Sequence, residues 1–164
     1  MRNVVLGPAE PVARLVYRGP DTGAAASAFG VAFAPEPLRA VVDGTRATLH
    51  LGPDEWWLFA PLPDLDTVRD ALTAALDGTP HSLVDISDRQ VGQILAGPRA
   101  AEVLAAFCPL DLDRTPPGTA TRTVLGKATI LLWRIAPDVF HIETTRSFAP
   151  YVTTMLAEEA GFTA

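Results

Sequence analysis

One order of elements is spelled twice in this chain, and it limits the architecture more than any single motif does. Ala47-Thr48-Leu49-His50-Leu51 and Glu55-Trp56-Trp57-Leu58-Phe59-Ala60 read as strands, and Gly52-Pro53-Asp54 between them reads as a tight turn, so the segment predicts a hairpin. Past Pro61-Leu62-Pro63, the residues Leu65, Val68, Leu72 and Leu76 recur at helical spacing, with Asp64 placed to cap that helix and Gly78 to stop it. The order returns near the C-terminus. Ala128-Thr129-Ile130-Leu131-Leu132-Trp133 is a predicted strand, Ala136-Pro137-Asp138 a turn, and Val139-Phe140-His141-Ile142-Glu143 a second strand. Ser147 is then placed to cap a helix carrying Phe148, Tyr151, Val152, Met155 and Leu156.

Between the two repeats, Ser82-Leu83-Val84-Asp85-Ile86 and Val91-Gly92-Gln93-Ile94-Leu95-Ala96 read as strands, and Gly97-Pro98 opens a helix through Val103, Leu104 and Phe107. Hairpins with helices returning between them predict an α+β fold of two split β-α-β-like half-units, each a mixed or antiparallel sheet with helices on one face. Residues 1–40 are rich in Gly, Pro and Ala and predict an extended N-terminal arm; residues 41–164 predict one compact domain of two half-units, 41–80 and 81–164. The halves share pattern rather than residues, so the repeat supports the element order more than it supports duplication.

Composition narrows the partners. At 164 residues and 48% hydrophobic content the chain is long enough to close a core of its own. A net charge of -6 and 13 scattered Lys and Arg leave no basic footprint, which argues against a nucleic-acid partner. The opening apolar run is broken by Gly7 and Pro8, and no run reaches the roughly eighteen apolar residues of a membrane span. A cytoplasmic protein without a membrane partner is the expectation. The single Cys108 excludes an intrachain disulfide and reads as a buried apolar residue.

Side chains for catalysis are sparse. The sequence has neither a GxxxxGK[ST] loop nor a G-x-G-x-x-G, and His50, His81 and His141 stand far apart without helical partners, reading as surface or hydrogen-bonded histidines. No catalytic, cofactor-binding or metal residue is assigned. The densest polar cluster, Asp85-Ile86-Ser87-Asp88-Arg89-Gln90, reads as a tight turn with Arg89 paired locally, or as a turn that binds a polar group. Trp56 and Trp57, being adjacent in a strand, point to opposite faces; either the strand is buried on both sides or one indole anchors an interface. Arg146, Phe148 and Tyr151 gather at a helix start where Pro150 suits the first turn. The candidate interface is therefore Trp56, Trp57, Arg89, Arg146, Phe148 and Tyr151.

Several of these segments also carry a family resemblance. Leu51-Gly52-Pro53-Asp54-Glu55-Trp56, Val84-Asp85-Ile86-Ser87-Asp88-Arg89-Gln90-Val91-Gly92 and Leu95-Ala96-Gly97-Pro98-Arg99-Ala100-Ala101-Glu102-Val103-Leu104 resemble the sarcosine oxidase gamma subunit family. So do Cys108-Pro109-Leu110-Asp111-Leu112, Thr121-Arg122-Thr123-Val124-Leu125-Gly126-Lys127-Ala128 and Arg146-Ser147-Phe148-Ala149-Pro150-Tyr151-Val152, in order, over residues 45–160. The resemblance departs after Ser87, where a histidine is expected and Asp88 stands. It implies a heterotetramer that oxidises sarcosine with oxygen and passes the one-carbon unit to tetrahydrofolate. It implies alpha, beta and delta partner subunits that carry FAD, FMN, NAD, zinc and tetrahydrofolate, with none bound by this chain. It further implies a fold related to the folate-binding domain of glycine-cleavage aminomethyltransferases, reused here in assembly. A stand-alone folate-binding one-carbon module, or a scaffold, is the alternative.

Overall fold

The computed structural model describes residues 4–161. The chain divides into two compact units, Pro11–Ser87 and Met1–Glu10 with Asp88–Ala164.

In the unit Pro11–Ser87, the elements run β2 (Val12–Arg18), α1 (Thr22–Phe29), β3 (Arg39–Asp43), β4 (Arg46–Gly52), β5 (Glu55–Pro61), α2 (Leu65–Ala75) and β6 (Ser82–Asp85). They form a sheet of order β3-β4-β5-β2-β6 in which every neighbouring pair is antiparallel. Strand alternation decides the core. Tyr17, Leu15 and Ala13 of β2 lie opposite Trp56, Leu58 and Ala60 of β5, and this face packs against Ala25 and Phe29 of α1 and Val68 and Leu72 of α2. The Asp21 carboxylate accepts from the Ala24 N–H at 2.9 Å to start α1. Gly30, with a φ of 84°, ends it in the left-handed conformation. Arg46 donates to the Phe29 carbonyl at 2.7 Å, placing a cation at the negative end of α1.

The second unit runs β7 (Gln90–Ala96), α3 (Ala100–Ala105), β8 (Ala120–Leu125), β9 (Ala128–Ala136), β10 (Val139–Thr145) and α4 (Ala149–Glu159), and takes β1 (Val5–Pro8) from the start of the chain. Its sheet, β8-β9-β10-β7-β1, is antiparallel throughout. Leu95, Ile130, Leu132, Phe140 and Ile142 of the strands pack on Val103 and Leu104 of α3 and Val152 and Leu156 of α4. Strand for strand, this is the order of the first unit, with β7 in the place of β2, and β9 and β10 in the places of β4 and β5. Only the fifth strand has a different origin. β6 follows α2 in sequence, whereas β1 precedes everything else in its unit and takes the same edge position beside β7.

The structure departs from the sequence-based expectation at several points. Residues 1–40 are not an arm: they hold β1, α1 and β2, and β2 is an interior strand bonded on both sides. Most of their Gly and Pro sit in the connections, while Val12–Arg18 is a largely buried strand covered on both faces. The unit boundary accordingly falls at 87/88 rather than at 80/81. Asp64 stands at the N-cap position of α2 as expected but makes no side-chain cap bond; its carboxylate pairs with Arg46 at 3.1 Å. Ser147 likewise makes no cap. A 3-10 turn, Leu62–Asp64 before α2 and Arg146–Phe148 before α4, leads into each helix instead.

Two outcomes follow for stability. Gly126 has a φ of 58°, and a Cβ there would stand 2.9 Å from the Met155 sulfur and against the Tyr151 hydroxyl. Gly126→Ala should cost about 2 kcal/mol by urea denaturation, combining left-handed strain with overpacking. Gly44→Ala, at a φ of 59° with open space around it, should cost only about 1 kcal/mol. Equal losses would show that the Tyr151 contact is unimportant.

Tyr17 is fully buried and donates to the Asp21 carbonyl at 3.1 Å. Burial, and then the Asp21 carboxylate, hold its phenol above the ordinary tyrosine range. A raised folded-state value means stability that is complete below the unfolded value, about pH 10, and lost as pH rises through the folded one. Tyr17→Phe should therefore flatten the alkaline loss of thermal stability while costing about 1 kcal/mol at neutral pH. A wild-type melting temperature that does not fall above pH 10 would refute this.

Candidate functional site

The polar cluster between β6 and β7 is a turn. The Asp85 carboxylate accepts from the Ser87 N–H at 2.9 Å and from its hydroxyl at 2.7 Å, and the Ser87 hydroxyl accepts from the Arg14 N–H at 2.9 Å. Further along, Gln90 donates to the Thr144 carbonyl at 2.8 Å and accepts from Arg89 Nε at 3.3 Å. These bonds spend Asp85, Ser87 and Gln90 on one another's segment and on the neighbouring strands β2 and β10.

The paired tryptophans are buried, each 5% exposed. Trp56 stacks on His50 with centroids 4.5 Å apart and also meets Phe33 and Tyr17. Trp57 points to the other face and donates from Nε1 to Glu55 Oε1 at 3.2 Å. Of the two readings of this strand, burial on both faces is the one found, so neither indole is a surface anchor. His50 departs from expectation: it is buried, and neither ring nitrogen has a hydrogen-bond partner. His141 is buried against Glu143, Nε2 to Oε1 2.6 Å. Cys108 is buried, as its residue type implies. Among the described residues no group of three or more His, Cys, Asp and Glu side chains is placed to hold a metal, and no helix is long and apolar enough to cross a membrane.

The remaining candidates converge at the start of α4. The Arg146 N–H donates to the Arg89 carbonyl and its Nε to the Asp88 carbonyl, both at 2.9 Å, so the segment before β7 fixes the direction of this guanidinium. Phe148 and Tyr151 are 43% and 38% exposed and meet edge to face at 6.4 Å. The Tyr151 hydroxyl is fixed in turn by the Lys127 N–H at 3.2 Å.

Beside them lies a groove of about 740 Å³, bounded by Leu6 and Pro8 of β1, Gln93 of β7, Arg146, and Thr153 and Ala157 of α4. Ala149, Thr153 and Ala157 recur every fourth residue, so one small-residue stripe of α4 faces it, and Gly7 and Gly92 keep the strand side low. Neither β1 nor the groove was expected from sequence. The one signal available was Gln93, a polar residue in step with Leu95 on the core-facing side of a strand.

Comparison with known proteins agrees with this geometry. The model of the sarcosine oxidase, gamma subunit family matches residues 19–161. Sarcosine oxidase subunit gamma of Corynebacterium sp. (strain U-96) is 34% identical over 137 residues, covering 82% of this chain but 65% of the relative's own length. A chain of the heterotetrameric sarcosine oxidase from Corynebacterium sp. U-96, solved in complex with pyrrole 2-carboxylate, superposes with a TM-score of 0.89 at 31% identity, over 98% of this chain and 86% of that one. Aminomethyltransferase T of the glycine cleavage system from Bartonella henselae shares the fold, with a TM-score of 0.75 at 16% identity over 94% of this chain and 45% of that one. With most of its length matched by the family model and its two-unit fold reproduced in a solved relative, this chain belongs to the sarcosine oxidase gamma subunit family.

Proposed function

We propose that the chain serves as the non-catalytic gamma subunit of a heterotetrameric sarcosine oxidase, with an assembly role. The complex would convert sarcosine, oxygen and tetrahydrofolate into glycine, hydrogen peroxide and methylene-tetrahydrofolate. The alpha, beta and delta subunits would carry FAD, FMN, NAD, zinc and the folate. The observation that carries this reading is the likeness, over 98% of the chain at a TM-score of 0.89, to a chain of a heterotetrameric sarcosine oxidase. The face at the start of α4 supports it, since Phe148 and Tyr151 leave aromatic surface exposed beside Arg146 and Arg89, a combination favoured at subunit contacts.

Purification of the tagged chain from its host should yield a yellow complex with sarcosine-dependent peroxide formation. Recovery of the chain alone, colourless and inactive, would overturn the proposal; a folate titration would then test the one-carbon module. Within a recovered complex, Phe148→Ala should weaken retention of partners by about tenfold while leaving the melting temperature of the chain nearly unchanged, because the ring is exposed. Unaltered retention would remove Phe148 from the interface.

A further inference from the structure

The segment between α1 and β3, residues 31–38, lies along the part of its sheet that the helices do not reach. α1 and α2 pack on β2 and β5, whose core side chains include Leu58 and Trp56. Thr48 and His50 of β4 lie opposite those two residues and so share their face, but they meet residues 31–38 rather than a helix. The Thr48 hydroxyl donates to the Ala32 carbonyl at 2.7 Å, and the Leu38 N–H donates to the His50 carbonyl at 2.7 Å. Between these two ties the Phe33 ring stands 5.5 Å from Trp56 and 5.9 Å from Tyr17. Under this strap Thr48 is 0% exposed and His50 5%.

Three features weigh against the closed position. Leu38 has a φ of 62° and is the one residue other than glycine in the left-handed region among the described residues. That conformation presses its Cβ against the following carbonyl, and the side chain stays exposed, so burial does not offset the strain. Beneath the strap, both His50 ring nitrogens and Trp56 Nε1 are buried without a hydrogen-bond partner, and solvent meets them once the strap lifts. Pro35 and Pro37 have no N–H with which to hold the strap down. Closure is favoured by burial of Val31 and Ala34 and, in part, of Phe33.

The matching segment of the other unit is fastened. Residues 106–119 lead from α3 to β8 as residues 31–38 lead from α1 to β3. Arg134 of β9 lies opposite Phe140, the place that His50 has opposite Trp56. Its guanidinium donates to the Leu112 carbonyl at 2.6 Å and the Thr115 carbonyl at 2.5 Å. His50 makes no such bond to its own strap.

We propose that residues 31–38 are a strap that opens as a unit while β2, β4 and β5 stay paired, exposing the stacked His50 and Trp56 rings. Residues 106–119, tied by Arg134, do not open in this way. The device belongs to the unit Pro11–Ser87 alone and is independent of the complex proposed above.

The test labels histidines with diethyl pyrocarbonate in the purified full chain and follows hydrogen exchange in the same preparation, both by mass spectrometry. Because both His50 nitrogens are buried, labelling there reads opening. His50 should label while the amides of Val12–Arg18 remain protected. Phe33→Ala should speed His50 labelling about tenfold by removing buried ring surface. Leu38→Gly should slow it about threefold, since relief of strain in the closed state is partly offset by glycine's freedom in the open one. Neither variant should change protection of Val12–Arg18. Labelling of His50 only under conditions where Val12–Arg18 also loses protection would overturn the strap, because its opening would then be global unfolding. Leu38→Gly labelling as fast as the wild type would overturn the role of strain.

Discussion

An interior strand of an antiparallel sheet must satisfy both of its backbone edges, and in each unit the strand that does so determines everything around it. β2 pairs with β5 from Val12 to Arg18 on one side and with β6 on the other. β7 does the same between β10 and β1. Without β2 the hairpin of β4 and β5 would expose Trp56 and Leu58 beside an unpaired edge, and α1 and α2 would have half a sheet to cover. Because β7 needs a second neighbour and no strand follows α4 within the described residues, the edge is closed by β1 from the other end of the sequence. That closure also forms the groove, since β1 is its outer wall.

The repeated order of elements was readable because hairpin strands and the helix after them carry strong local patterns. The pairs β4–β5 and β9–β10 fall where the turns at 52–54 and 136–138 place them, and α2 and α4 where the periodic Leu65, Val68, Leu72 and Val152, Leu156 require. The strands that close the sheets were not readable, for a physical reason. β1 is four residues long and contains Gly7 and Pro8, and its strand character comes from pairing with β7, about ninety positions away. β2 is an apolar run without clear alternation, and the glycines and prolines on either side of it belong to connections that only tertiary contacts make short. The helix caps were legible in part: Asp64 holds the N-cap position of α2 without a cap bond, and Phe148 rather than Ser147 holds that of α4. Asp64 has the right chemistry, but a 3-10 turn precedes α2, and Arg46 offers a charged partner.

Site legibility divides along the same line. Arg89, Arg146, Phe148 and Tyr151 were singled out on residue type as interface candidates, and the fold brings their segments together at one helix start. Trp56 and Trp57 were the weaker reading because residue type alone does not tell a two-sided strand from an exposed one. Every residue of Glu55–Ala60 is buried, and an apolar strand with both faces covered has the same composition as an interface strand.

The two units also show where the common architecture has been altered. At one position the substitution is conservative in role: His50 stacks on Trp56, and Arg134, in the matching place, sits 5.1 Å over the Phe140 ring and ties the Leu112 and Thr115 carbonyls. Each places a nitrogen-bearing side chain across from an aromatic one. Gln93 in the place of Leu15 likewise leaves a buried polar atom unmet, Oε1, as His50 does with both ring nitrogens. A chain optimised only to fold would keep leucine there, since the apolar neighbours Leu95 and Ile142 are already in position. The amide stands where the groove meets the sheet, at the edge closed by a strand from the far end of the chain, and its one bond, to Thr153, ties β7 to α4.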